Sequence, residues 1–401
     1  MYELLIEGLF GSIIFLFISI ILLVRFRTLK PSIPLFLCLL TIFLRYSISL
    51  YNSYFGPIYG ADVDAVDFVD FASHTMPLIN IGTEAYLAFL GNVFSYTIRS
   101  TFIANILSVV VTLPYLFFVT WVLEKYSHSV PKSILILFSM ILLFLPSMLI
   151  FHSISLREAY MISGLALIAF SGFRIIEENL SIRYLFLFIL GSSLLAWFHK
   201  GTFIISLLNF VALAYILFIK GNRLVLLSSM ASLSFLVLLL GGATIDGRGL
   251  EVLFAILSGE SMEYVENYRL SSEGLQASNT YSIDYDSNIF IIAIKSFFYY
   301  TFGPFIGTSN GFFGLYMSLE RLLILIMMLI LLFNPSSKSY KNEHVKIVFS
   351  LILFFISSLI WSLGTSNYGT GIRHHTVHDF LLYIAVYISF SIRFNKKLNE
   401  A

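Results

Sequence analysis

Long apolar runs, broken by short polar stretches, set the pattern of this chain. Segments such as LFGSIIFLFISIILLV (9–24) and IVFSLILFFISSLIW (347–361) are apolar on every face. They lack the alternation of a half-buried strand, and several approach the twenty residues that cross roughly 30 Å of hydrocarbon as helix. Spans are expected near 8–24, 32–50, 101–123, 133–151, 159–173, 185–198, 202–219, 224–241, 316–333, 347–363 and 379–392. The fold class is an all-α polytopic membrane protein, a bundle of about 11 transmembrane helices. Two further apolar segments, 81–97 and 288–306, are shorter or more broken. They fit amphipathic helices, re-entrant segments or extra spans, which would bring the count to 12–13.

No internal repeat and no low-complexity tract divides the chain. It reads as a single transmembrane domain over 1–401. A first extracytoplasmic loop occupies 52–98, and a large one, 242–315, contains the long polar insertion of 242–290. The run at 9–24 is followed by RFRTLK without a small-residue cleavage site, as expected of a retained span.

Composition agrees with this pattern. The 401 residues are 58% hydrophobic and only 12% charged, with a mean hydropathy of +0.89; soluble domains carry roughly 25% charged residues. With no water to satisfy open backbone groups, such a chain spans lipid as helices or as a closed barrel. The continuous runs select helices. A net charge of +1 gives no general attraction to nucleic acid, and the one cysteine, Cys38, excludes an intrachain disulfide.

Basic residues stay cytoplasmic. With the N-terminus outside, 15 of the 24 basic residues fall on inner segments, among them Lys125, Arg174, Lys346 and Arg393. The C-terminus is then cytoplasmic. Of the 23 acids only Glu124, Glu177, Glu178, Glu343 and Glu400 lie inside. Histidines 74, 152, 199, 374, 375 and 378 lie outside, so the side chains able to do chemistry gather on the outer face.

Four outer stretches hold the candidates. GADVDAVDFVDFASH presents Asp62, Asp64, Asp67 and Asp70. As helix, Asp64, Asp67 and Asp70 line one flank; as extended chain, Asp62 and Asp64 share a face. Such carboxylates bind a divalent cation or take a proton from a hydroxyl, and a solvated acidic loop looks the same. In PSMLIFHSISLREAYMISG, an ordinary helix start explains Glu158, with Ser155 as cap and Glu158 as the capping-box acid. It does not explain Arg157, because a cation opposes the dipole at a helix N-terminus. LLAWFHKGTFI sets His199 and Lys200 in a tight turn between spans, where ionisable residues are functional candidates by default. TSNYGTGIRHHTVHDF, read as loop running into a span, brings Arg373, His374, His375 and His378 together. Arg373 with one or two of these histidines suits a phosphate, through the planar donor fork of arginine. That reading is preferred to a zinc site, since adjacent histidines point apart; an interfacial basic turn is the plainer alternative. The insertion adds Arg248 and Arg269 among tyrosines and amides of the kind that pack on and hydrogen-bond to sugars.

Arg157, His199, Lys200, Arg373 and His374 come from three separate loops at one face, with the aspartates opposite. Cations for a diphosphate and a carboxylate base for a hydroxyl are the groups that glycosyl transfer from a lipid-linked donor requires.

The order of YGADVDAVDF, SLREA and WFHKG resembles the Wzy-type O-antigen polymerases and the related EpsG-like exopolysaccharide proteins, in layout over most of the chain. GTGIRHH is similar to an element of GT-C-fold glycosyltransferases. The resemblance implies a bacterial inner-membrane enzyme that joins oligosaccharide repeat units carried on undecaprenyl diphosphate at the periplasmic face. By position it implies that Arg157, His199 and Arg373 bind the diphosphate or sugar and that Asp62 or Asp64 activates the acceptor hydroxyl. Glu158, Lys200, Arg248, Arg269, His374, His375 and His378 are the further substrate-binding candidates. The implied partners are the bilayer and the chain-length regulator and flippase of the same pathway. No soluble cofactor is called for, although Asp62 and Asp64 offer a place for a divalent cation. The alternatives are a GT-C enzyme using a polyprenyl-phosphate sugar, a lipid-linked sugar flippase, and an assembly scaffold.

Overall fold

The computed structural model describes residues 2–26, 32–56, 62–74, 82–178, 181–199, 201–219, 289–307, 311–333, 341–365 and 367–400. Among these residues there is no strand. The helices are α1 (Tyr2–Phe26), α2 (Ile33–Tyr54), α3 (Asp62–Asp70), α4 (Thr83–Tyr96), α5 (Thr101–Val111), α6 (Leu113–Tyr126), α7 (Lys132–Phe144), α8 (Pro146–Phe151), α9 (Glu158–Glu178), α10 (Ile182–Phe198), α11 (Thr202–Ile219), α12 (Ile289–Phe302), α13 (Gly311–Phe333), α14 (Lys341–Gly364) and α15 (Tyr368–Glu400).

Six helical stretches are long and apolar enough to cross a membrane: α2, the continuous pair α5–α6, α9, α13, α14 and α15. Shorter apolar stretches lie within α1, α7, α10 and α11. Of the eleven expected spans, the one at 224–241 lies outside the described residues. The segments at 81–97 and 288–306 become α4 and α12, each of 14 residues. At 1.5 Å per residue each reaches about 21 Å, short of a bilayer's hydrocarbon.

Two helix boundaries follow directly from proline. The expected span at 133–151 breaks at Leu145, ahead of Pro146, because proline has no N–H for the helical ladder. The Ser147 N–H beside it donates instead to Tyr316 Oη at 3.0 Å. At Thr112 the chain only pauses: Pro114 opens α6, where its missing N–H costs nothing. The Leu116 N–H still reaches the Thr112 carbonyl.

Helices α9 and α15 form the centre. From Phe380 to Ile388 every residue of α15 is buried, as is nearly all of α9. Large apolar side chains such as Phe17 on α1, Phe36 and Phe43 on α2, and Leu319 and Ile326 on α13 face outward. An apolar exterior around a packed interior is what a lipid solvent selects. Helices α9 and α10 meet where Gly164 faces Gly191: a Cβ on either would come within 2.7 Å of the other's carbonyl oxygen. Small residues permit this approach, as in many membrane helix pairs.

Two groups of charges lie at opposite ends of the bundle. At one end Lys125 and Lys346 both pair with Glu177, and Arg174 with Glu178. The other end is formed by the starts of α9 and α15 and the ends of α10 and α14, and holds the site described next.

Candidate functional site

Helix α15 starts earlier than its sequence suggests. GTGIRHH was expected to be loop, but the helix begins at Tyr368, so Arg373 and all three histidines are helical. Asn367 is the reason: its side-chain Oδ1 accepts the Gly369 N–H at 2.7 Å and its carbonyl accepts that of Gly371 at 2.8 Å. This capping outweighs the low helix propensity of two glycines.

The start of α9 also differs from the expected capping box. Ser155 Oγ donates to the Ala65 carbonyl at 2.8 Å, and its N–H donates to Asn105 Oδ1 at 2.7 Å. Arg157 takes the cap position, its carbonyl accepting from Tyr160 and Met161. Glu158, only 1% exposed, is thereby left without the local role that a capping box would give it.

It faces Arg373 and His374 of α15 instead. Glu158 Oε1 lies 3.8 Å from Arg373 Nε and 3.9 Å from His374 Nε2. On its other side Arg373 donates through Nη1 to Asp64 Oδ2, an ion pair between residues 309 positions apart. Asp64 is nearly half exposed while the Arg373 side chain is 12% exposed, so Asp64 is the open side of the cluster. Helical α3 resolves the aspartate spacing in favour of positions 64, 67 and 70 along one flank.

Arg157 stands beside these groups. It donates to Thr83 Oγ1 at 2.9 Å, and its guanidinium lies 5.5 Å from the centre of the Phe68 ring. Burial and the nearby Arg373 pull its pKa down and Glu158 and Asp64 push it back up, which leaves a guanidinium fully protonated at neutral pH.

His199, at the end of α10, completes the ring of groups. Its imidazole meets that of His374 at 5.6 Å between centroids, edge to face, and His374 stacks on Trp361 at 5.3 Å. The Gly201 N–H donates to His199 Nδ1 at 3.2 Å, which leaves the ring proton on Nε2. Burial, then the charge of Arg157, holds His199 well below the usual histidine pKa. It is therefore a neutral donor.

The structure thus brings together Asp64, Arg157, Glu158, His199, Arg373 and His374 from four separate segments. Two guanidiniums face two carboxylates, and the neutral His199 adds a donor. His375 and His378 lie in a second cluster one turn further along α15, with Tyr300, Arg321 and Asp379. The Asp62 side chain, Lys200, Arg248 and Arg269 lie outside the described residues.

Sequence reasoning missed Glu320 and Arg321, both under 5% exposed in the middle of α13. The signal was available: an acid and a base inside an apolar run are functional candidates by default. The chain matches no known protein family, no curated protein and no solved structure.

Proposed function

We propose that this chain is a membrane glycosyltransferase of the polysaccharide-polymerase kind. It joins oligosaccharide units carried on polyprenyl diphosphate at the outer face of a bacterial inner membrane. The observation that carries this reading is the convergence of Arg157, Arg373, Asp64, Glu158 and His199 at one end of the bundle. The N-terminus is outside and the C-terminus cytoplasmic, following the distribution of basic residues.

In the free protein Asp64 neutralises Arg373. A diphosphate offers the same guanidinium more oxygens and more charge, and the exposed Asp64 is the partner it displaces. Substrate binding therefore frees the carboxylate that the reaction needs. The acceptor hydroxyl oxygen attacks the anomeric carbon of the growing chain and its proton passes to Asp64. The bond from that carbon to the diphosphate oxygen breaks, and the electron pair leaves with the diphosphate. Arg157 and Arg373 face the charge that accumulates there, with the His199 Nε2–H as a neutral donor. Preorganised donors of this kind contribute about 10²–10³ each in rate. Glu158, buried between Arg373 and His374, holds both in place.

The test is deletion of the gene in its host, with surface polysaccharide resolved as a ladder. Loss of long chains with one capped unit remaining supports the polymerase. Failure of Arg373→Ala to restore the ladder at normal protein level assigns Arg373 to the site. A uniform small shift of every band indicates a single-sugar transferase, and an unchanged ladder overturns the reading for that glycan.

A further inference from the structure

The second cluster on α15 has the form of a metal site. His375, His378 and Asp379 occupy positions i, i+3 and i+4, and all three are 3% exposed or less. Asp379 Oδ1 lies 4.0 Å from His375 Nδ1 and 3.8 Å from His378 Nε2, and the three donor atoms lie within 4.8 Å of one another. Each of these atoms is buried without a hydrogen-bond partner. Among the described residues this is the one place where three such donors converge. Buried polar groups are nearly always satisfied, and a role in binding an ion is one standard reason for an exception.

The outer side of every donor is held. His378 Nδ1 bonds to the His374 carbonyl at 3.1 Å, which fixes the proton there and turns the Nε2 lone pair inward. The His375 ring packs on the Tyr300 ring, with 4.1 Å between centroids. Asp379 uses Oδ2 to accept from Arg321, leaving Oδ1 for the centre. An imidazole anchored by a carbonyl, as His378 is, and a carboxylate anchored by a donor belong to the outer-shell pattern of metal ligands.

We infer that His375 Nδ1, His378 Nε2 and Asp379 Oδ1 bind one divalent first-row transition ion. Bonds of about 2.0–2.2 Å place donors roughly 3–3.5 Å apart, so small side-chain rotations close the site. Two imidazoles and one carboxylate favour Zn²⁺ or Fe²⁺ over Mg²⁺ and Ca²⁺. Three protein ligands leave a position for water or a substrate oxygen. The inference does not rest on the glycosyl-transfer reading, whose two residues on α15, Arg373 and His374, precede this cluster.

The full chain, purified in detergent on a tag without histidines, is loaded with Co²⁺ and desalted. One Co²⁺ per chain with visible d–d absorption is expected. His378→Ala weakens retention by more than the roughly 10–100-fold that outer partners are worth. His344→Ala, at the far end of α14, retains the ion. His375→Cys, should His378→Ala prove unstable, adds a thiolate-to-cobalt charge-transfer band if residue 375 is a ligand. Wild-type protein that retains no Co²⁺ overturns the inference. So does equal retention by monodisperse His378→Ala, or a Co²⁺-loaded His375→Cys protein without the new band.

Discussion

The two carboxylates that flank Arg373 are close in space and opposite in surroundings, and substitution separates their roles. Glu158 is buried, so Glu158→Gln leaves Arg157 and Arg373 side by side with a buried counter-charge removed. Losing one partner of a buried charge pair costs about 3–5 kcal/mol. Asp64 is nearly half exposed, so Asp64→Asn changes stability by no more than about 1 kcal/mol. Activity reverses the order: Asp64→Asn abolishes chain extension in a protein of near wild-type stability. Thermal unfolding in detergent and the polysaccharide ladder check the two halves. His152 supplies a pH dependence at the same scale. It is fully buried, with Nε2 hydrogen-bonded to Thr376 at 3.0 Å, and burial and the charge of Arg45 hold its pKa well below the ordinary value. The unfolded chain takes up this proton first as pH falls below about 6.5. Stability is therefore complete above that pH and declines on acidification, by about 1.4 kcal/mol per pH unit for one histidine. Unfolding midpoints from pH 7.5 to 5.0 should fall, and His152→Gln should flatten the slope by one proton.

At the scale of elements, the crossing of α9 and α10 sets the distance between the start of one and the end of the other. Those ends carry Glu158 and His199, and the contact of Gly164 with Gly191 is the point about which they are positioned. A Cβ at residue 191 would lie 2.5 Å from the Gly164 carbonyl oxygen and 2.9 Å from Leu167 Cβ. Backbone cannot yield locally, so Gly191→Ala pushes the helices apart. The expected loss is about 1–3 kcal/mol, with reduced chain extension although no site residue is altered. An unchanged unfolding midpoint and an unchanged ladder would show that the crossing does not position the site. This element was legible in the sequence only as two apolar runs, because nothing in a single chain says which glycines face each other. The candidate residues were more legible. A cation at a helix N-terminus and a histidine in a turn between spans are each locally costly, and both proved to belong to one cluster. What escaped was the register: the pairing of Asp64 with Arg373 across the chain, and the helical start at Tyr368 that Asn367 imposes on two glycines.

For the whole molecule, the bundle has two unlike ends, and the charge pattern read from the sequence anticipated them. Lys125, Arg174, Glu177 and Lys346, assigned to one face from the distribution of basic residues, converge at one end. Arg157, His199, Arg373 and His374 converge at the other. The agreement has a physical source, since both depend on which side of the bilayer each helix starts. The chemistry of the two ends differs accordingly. Lys346 and Glu177 hold each other and leave the first end neutralised from within. At the second end the pair that faces solvent, Arg373 with Asp64, is open to exchange. Which end faces outward decides whether lipid-linked sugars reach the site, and labelling settles it. Cys38 is fully buried, so the native chain gives a low background. Tyr96→Cys, at an 89% exposed position at the end of α4, the helix whose Thr83 meets Arg157, should react with a membrane-impermeant maleimide in intact spheroplasts. Lys132→Cys, exposed at the opposite end, should react only after permeabilisation. The reverse pattern would put the site in the cytoplasm, where the donor must be a soluble nucleotide sugar or a lipid-linked unit not yet translocated, and would replace polymerisation with an earlier step of assembly.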